Sequence, residues 1–454
     1  LQAGENVLAI EAVNATDAPS PAGLIAALRL ETADGGKQIV VTDKSWLSAE
    51  KAAEDWISAS AADGWATAQE LGPLGMNPWG PLETPVDYTD MYPEVDLVTE
   101  VLQQMDVHPD FRYQTQSTVK SLRYIHRRDG GTDIYFIANK LPQAEQALCS
   151  FRVQGKQPEL WWPQTGRMER PAVYSQTGGI TSLPICFHAT DSVFVIFREK
   201  SKDGPDRFVS VTRNGDSLLD TFGQMDAITL NGGKDGCQAL IRQPGTYVLQ
   251  TAAGQTRELA VPALPSPLEL SGPWQLSFPP HGGAPDQVTL DTLFSWSEHT
   301  DPGVKYFSGT AVYTKEFPLS PDMLAENHRL YLDLGEVQVM AEVKLNGKDL
   351  GILWKPPFCV DITDAAAANN RLEIKVVNLW INRMIGDEFL PEDCSRNPDG
   401  TLKEWPQWVN EGKPSPTGRY TFTSWKLWSR DEPLQPSGLL GPVTIRAAEQ
   451  IAVR

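Results

Sequence analysis

An alternating phrase that occurs twice limits what this chain can fold into. NVLAIEAVN starts at Asn6, and NRLEIKVVN starts at Asn370. Leu8, Ile10 and Ala12 of the first copy correspond to Leu372, Ile374 and Val376 of the second. Apolar side chains at every second position line one face of a strand, so each copy is expected half-buried in a sheet. A second pair follows: AGLIAALRL from Ala22, and SGLLGPVTIR from Ser437. Two related β-modules are therefore expected. Much strand-like sequence precedes the second copy, but the first comes almost at once. A sheet without most of its strands cannot cover its apolar face. Position 1 is also Leu, not Met. The chain thus reads as starting inside a domain, as the C-terminal portion of something larger.

The 454 residues allow several domains with their own cores. A formal charge of −19 argues against nucleic acid or an anionic membrane as partner, because both need basic patches. Five Cys without CxxC spacing indicate neither a disulfide framework nor a zinc site. The six His form no HExxH motif. No apolar run is long enough to span a membrane, and no signal peptide is visible. Fourteen Trp are many for this length, and acidic Trp-rich β-proteins suit sugars, whose C–H faces stack on indoles. Core filling is the competing explanation for any one of them.

The expected fold is mainly β, several antiparallel sandwiches with one short helical bridge. Residues 1–79 read as closing strands of the first, truncated module. In 80–118, Val98, Val101, Leu102 and Met105 repeat at helical spacing between Pro93 and Pro109, which marks a linker and an amphipathic helix. From 119 to 200, SLRYIHRR, TDIYFIANK, ALCSFRVQG, PELWWPQTG, SLPICF and SVFVIFRE predict a sandwich. Asp129-Gly130-Gly131 and Gln164-Thr165-Gly166 supply turns between them. Residues 201–266 predict a small β-domain and linker, with short strands around Asn231-Gly232-Gly233. The last domain, 267–454, holds RLYLDLG and AEVKLNG, with Asn346-Gly347 as a hairpin turn.

The two modules differ between their paired phrases. A few residues suffice in the first, whereas the second runs from Leu379 to Pro436. This insertion carries Trp380, Trp405, Trp408, Trp425 and Trp428 with Asp387, Glu388, Glu392, Asp393 and Arg419. Long loops on a β-scaffold are usually functional or disordered, and five Trp argue against disorder. The candidate carbohydrate-binding residues are Trp380, Asn382, Arg383, Trp425 and Trp428, with indoles for stacking and polar groups for hydroxyls. Asn382 and Arg383 suit a buried, hydrogen-bonded loop equally well. The acidic run GDEFLPED reads more readily as a solvated turn than as a catalytic pair.

Nucleotide-binding signatures and a GxSxG elbow are absent. Glycoside hydrolysis needs two carboxyl groups, and sequence alone does not single out a pair among 58 acidic residues. A complete sugar-cleaving barrel needs about 250 residues of alternating strand and helix. With one convincing helix, this chain is expected to lack it.

LRYIHRRDGGTDIYFIANK, FRVQGKQPELWWPQTG and SVFVIFRE resemble the β-domain after the barrel in α-L-rhamnosidase-like enzymes of glycoside hydrolase family 106. KYFSGTAVYTKEF, LYLDLGEVQVMAEVKLNGKDLGILWKPPFCVDIT and VVNLWINRMIGDEFLPED resemble their C-terminal galactose-binding-like jelly roll, a domain shared with family 2 glycosidases. GRYTFTSWKLWSRDEPLQPSGLLGPVTIR belongs to the same match. The resemblance implies a secreted or periplasmic enzyme that acts on rhamnose-containing glycans with a pair of Glu on the barrel. It also implies a calcium ion near the sugar, although nothing in this chain requires a cofactor. Those Glu map onto no position here. The expectation is an accessory, carbohydrate-binding portion of such an enzyme, the alternative a free-standing glycan-binding protein.

Overall fold

The computed structural model describes residues 10, 24, 26–31, 37–49, 65–72, 101–102, 104–105, 107–201, 207–219, 225–233 and 236–453. The chain divides into two compact units, residues 1–107 and 108–454. In the first, Ala27–Glu31 pairs antiparallel with Lys37–Val41, and Leu47–Ser48 with Ala66–Thr67. Apart from Ile10, the phrase starting at Asn6 lies outside the described residues. Of the predicted helix, Val101, Leu102 and Gln104 are helical, and Val98 lies outside the described residues.

In the second unit, the strand-like strings of 119–200 all become strands. A five-stranded sheet runs in the order Arg167–Glu169, Lys156–Trp162, Ser192–Lys200, Thr132–Asn139, Leu122–Asp129. A four-stranded sheet holds Ser175–Thr177, Ile180–Phe187, Glu145–Phe151 and Phe111–Thr115. Alternation places Tyr135, Ile137, Leu183, Ile185, Val193 and Val195 in one shared core. Each such side chain contributes about 1.5–3 kcal/mol on leaving water, enough to fix strand register, since a one-residue slip would expose the whole set. Gly130 takes φ +54° in the turn predicted from the Asp-Gly-Gly signal.

The second alternating phrase forms the strand Asn369–Val377, with Asn370, Leu372, Ile374 and Val376 buried. It lies between Thr310–Pro318 and Met340–Leu345 in a six-stranded sheet. Asn346 and Gly347 both have positive φ, as a tight hairpin between Met340–Leu345 and Lys348–Leu353 requires. A second six-stranded sheet packs on the same core through Leu330, Leu332 and Ile445. It also takes in Ile228–Gly233 and Gly236–Ile241, which pair with each other, the second of them also pairing with the last strand, Thr444–Val453. Of the segment 201–266, these two strands are hydrogen-bonded into a sheet of the C-terminal region, while Asp216–Ser217, Phe208–Arg213, Gly245–Thr251 and Thr256–Val261 form a separate four-stranded sheet. Lys355 links that region to the first sandwich, donating to the Ala189 carbonyl at 3.1 Å beside buried Asp191.

The architecture is mainly β, as the alternation predicts, and every pairing of named strands among the described residues is antiparallel. A β/α barrel needs eight parallel strands. None of the described residues form one. No helix among them is long and apolar enough to cross a membrane.

Candidate functional site

The insertion after Asn369–Val377 is a compact, mostly irregular lobe around a helix, Ile381–Asp387, which the sequence reading did not anticipate. Asn382 closes its mouth. Its amide donates to the Gln435 carbonyl at 2.7 Å, and its oxygen accepts from the Gln435 N–H at 2.8 Å. One buried side chain thus ties the two ends of a long excursion together. Ser308 holds the same corner by donating to the Leu379 carbonyl at 2.8 Å.

Arg383 is also turned inward. Its guanidinium lies 4.8 Å from the Tyr420 ring and 5.8 Å from Tyr306. Gly386 permits this packing, since a Cβ there would come within 2.6 Å of Tyr306 and of Arg383. Asp387, 1% exposed, lies 3.1 Å from Arg383, out of line for a hydrogen bond. Its other oxygen accepts from the Tyr420 and Thr421 N–H groups and from the Thr421 hydroxyl, at 2.7–2.8 Å. A carboxylate so bonded fixes a backbone segment as well as a side chain.

The acidic run is therefore not a solvated turn. Glu388 accepts from Arg419 at 2.8 Å and pairs with Lys426 at 2.7 Å. Glu392 accepts from Lys426 at 2.6 Å, with Arg419 at 3.7 Å and Arg396 at 3.8 Å. Burial works to raise the Glu392 carboxyl, but the Lys426 hydrogen bond and the three cations outweigh it and hold it below its ordinary value. Asp393 accepts from the Ser415 hydroxyl at 2.7 Å. A glycosidase acid must keep its proton near neutral pH. Glu392 is tuned the opposite way, and its neighbours are engaged in holding the lobe together. No group of three or more His, Cys, Asp or Glu among the described residues is placed to hold a metal ion.

The network leaves the indoles outside. Trp380, Trp405 and Trp425 are 58%, 59% and 54% exposed, and Trp408 and Trp428 are half-buried. Trp425 is fixed by its indole N–H, which donates to the Asp399 carbonyl at 2.9 Å. It lies against Gly400, where a Cβ would sit 3.1 Å from its ring. Trp428 borders a shallow cleft with Met384, Phe422 and Leu427. Trp405 and Trp408 pack on Phe422 at 5.7 and 5.6 Å. Of the five candidates, three Trp lie at or near the surface, and Asn382 and Arg383 form the support beneath. Tyr420 and Phe389, 49% and 57% exposed, add apolar surface that the sequence reading overlooked. The density of aromatics in the insertion was the available signal for them.

Residues 63–176 match the model of a family described as alpha-L-rhamnosidase. A putative beta-glucuronidase from Formosa agariphila is 28% identical over 77% of this chain and 44% of its own length. The solved rhamnosidase from Novosphingobium sp. PP1Y is similar at 32% identity and a TM-score of 0.55, over 78% of this chain and 26% of that one. The chain thus spans less than half of the relatives it matches. The resemblance read from the strand strings holds: the chain is similar to α-L-rhamnosidase-like glycoside hydrolases.

Proposed function

We propose that this chain is the accessory, carbohydrate-binding portion of a glycoside hydrolase that breaks down plant or microbial polysaccharides. The observation that carries this reading is the set of exposed indoles on a lobe held rigid from beneath. Fixed flat apolar faces suit sugar rings, and their cost of ordering has already been met in the free protein. Trp425 and Trp428 form the contact surface with Trp380 at its margin, while Asn382 and Arg383 position it. Rhamnose-containing glycans are the ligands, by likeness to the solved rhamnosidase, and the setting is secreted or periplasmic. The antiparallel architecture supports placing the catalytic Glu pair outside the described residues.

Two measurements test the proposal. Calorimetry with rhamnose- and galactose-containing oligosaccharides should show binding that Trp425→Ala or Trp428→Ala abolishes, and no binding across the panel refutes it. Aryl α-L-rhamnosides should not be turned over by this chain alone, and robust turnover would refute the accessory role.

A further inference from the structure

We propose that the cleft between the five-stranded sheet of the first sandwich and the strand Ile228–Gly233 is a second binding site, taking a neutral saccharide residue. It is an open cleft of about 380 Å³, within the range of small-ligand sites. One wall is formed by Glu159, Met168, Arg170 and Arg198, and the other by the backbone-rich segment Asn231–Gly233. None of these residues belongs to the tryptophan-rich insertion.

The wall is preorganised around one buried carboxylate. Glu159, 4% exposed, accepts from Arg198 Nε at 2.9 Å, Arg198 Nη2 at 3.0 Å and the Trp161 indole N–H at 3.0 Å. This two-point grip holds the Arg198 guanidinium over the Trp161 ring, 5.3 Å from its centroid. Arg170 is held in turn by Glu199 at 3.0 Å. A guanidinium has five N–H donors. These pairings use only some of them, leaving donors in fixed planes for ligand hydroxyls.

Charge decides the class of ligand. Arg167, Arg170 and Arg198 are matched by Glu159, Glu169 and Glu199, to which they are paired. A balanced wall offers no net field to an ion, whereas a polyol gains donors and acceptors alike. Met168 sits across from Trp161 in the sheet register and is 68% exposed, a flexible apolar group for a sugar C–H face. Gly232 does not have positive φ, and a Cβ there would meet only ordinary contacts at 3.8 Å. The backbone does not demand glycine at this position, and the missing side chain leaves the cleft open.

The ligand class rests on the proposed function; the location does not. The test uses protein labelled with ¹⁵N at Trp, with the Trp161 indole resonance assigned through Trp161→Phe. Methyl α-L-rhamnoside, D-galactose and sodium D-glucuronate are the probes. A neutral sugar should move the Trp161 resonance saturably, and Trp425→Ala should leave this unchanged. Gly232→Leu, which fills the cleft, should weaken the response by about tenfold or more. Met168→Glu, at an exposed position with little bearing on folding, should weaken it as well. The inference is overturned if Trp161 responds to neither neutral sugar, responds only to glucuronate, or is unaffected by both substitutions. A response confined to the Trp425 and Trp428 resonances would end this inference while sustaining the proposed function, and the converse pattern would do the reverse.

Discussion

Replacing Asp387 with alanine removes the acceptor for the Tyr420 and Thr421 N–H groups and for the Thr421 hydroxyl. It also leaves the Arg383 guanidinium, 7% exposed, without its carboxylate neighbour at 3.1 Å. Each orphaned buried amide costs about 1–3 kcal/mol. Breaking a buried charge pair costs about 3–5 kcal/mol, of which Arg383 recovers part by remaining stacked on Tyr420. The effects share partners and do not add. The net expectation is a loss of about 3–5 kcal/mol. Asp387→Asn keeps one acceptor but sacrifices the charge-assisted part of each bond, so about 1–2 kcal/mol is expected. The loss should be local, because the sheets below the lobe retain their own cores. Hydrogen exchange followed by mass spectrometry is the assay. Peptides covering 388–430 should lose protection in Asp387→Ala, while those covering Asn369–Val377 keep theirs. Unchanged exchange at 420–421 would refute the claim that this carboxylate holds the lobe.

Further outcomes follow from the same geometry. Trp425→Ala should shift the unfolding midpoint little while abolishing calorimetrically measured glycan binding, since its indole is half exposed. Gly438→Ala should cost about 3 kcal/mol or more in a denaturant titration. Gly438 has φ +98°, and a Cβ there would sit 2.6 Å from the Trp296 indole nitrogen. Glu392 has a folded pKa below its ordinary value of 4.5, so its stabilising contribution is complete above that pH and lost as pH falls through the lower folded value. Proteolytic nicking of the lobe should therefore rise below about pH 4.5, and the dependence should be weaker in Glu392→Gln. An unaltered pH profile in that variant would show that the cations around Glu392 contribute nothing measurable.

Period-two alternation in Asn369–Val377, Thr132–Asn139 and Ser192–Lys200 was enough to identify each as a strand and to say which side chains face inward. That signal is local: a strand's buried face depends on side chains two apart, which any sheet partner must cover. Asn346-Gly347 was readable for a similar reason, since positive φ at two successive positions is a property of the residues themselves.

The lobe was different. Asn382 and Arg383 follow a tryptophan in a polar loop, and their types fit sugar contact and burial equally well. What turns them inward is Gln435, Tyr306 and Tyr420, each distant in the sequence. The acidic run likewise looked solvated because Arg419 and Lys426, which neutralise it, lie a long loop away. Nor did anything in Ile228–Ile241 reveal that its strands would extend a sheet onto Thr444–Val453. The sequence alone determined an antiparallel β-protein with an aromatic-rich insertion, because periodicity and composition are carried by neighbouring residues. Tertiary structure decided which polar groups support that insertion and which indoles it exposes, because burial and charge pairing depend on residues that meet only after the chain has folded.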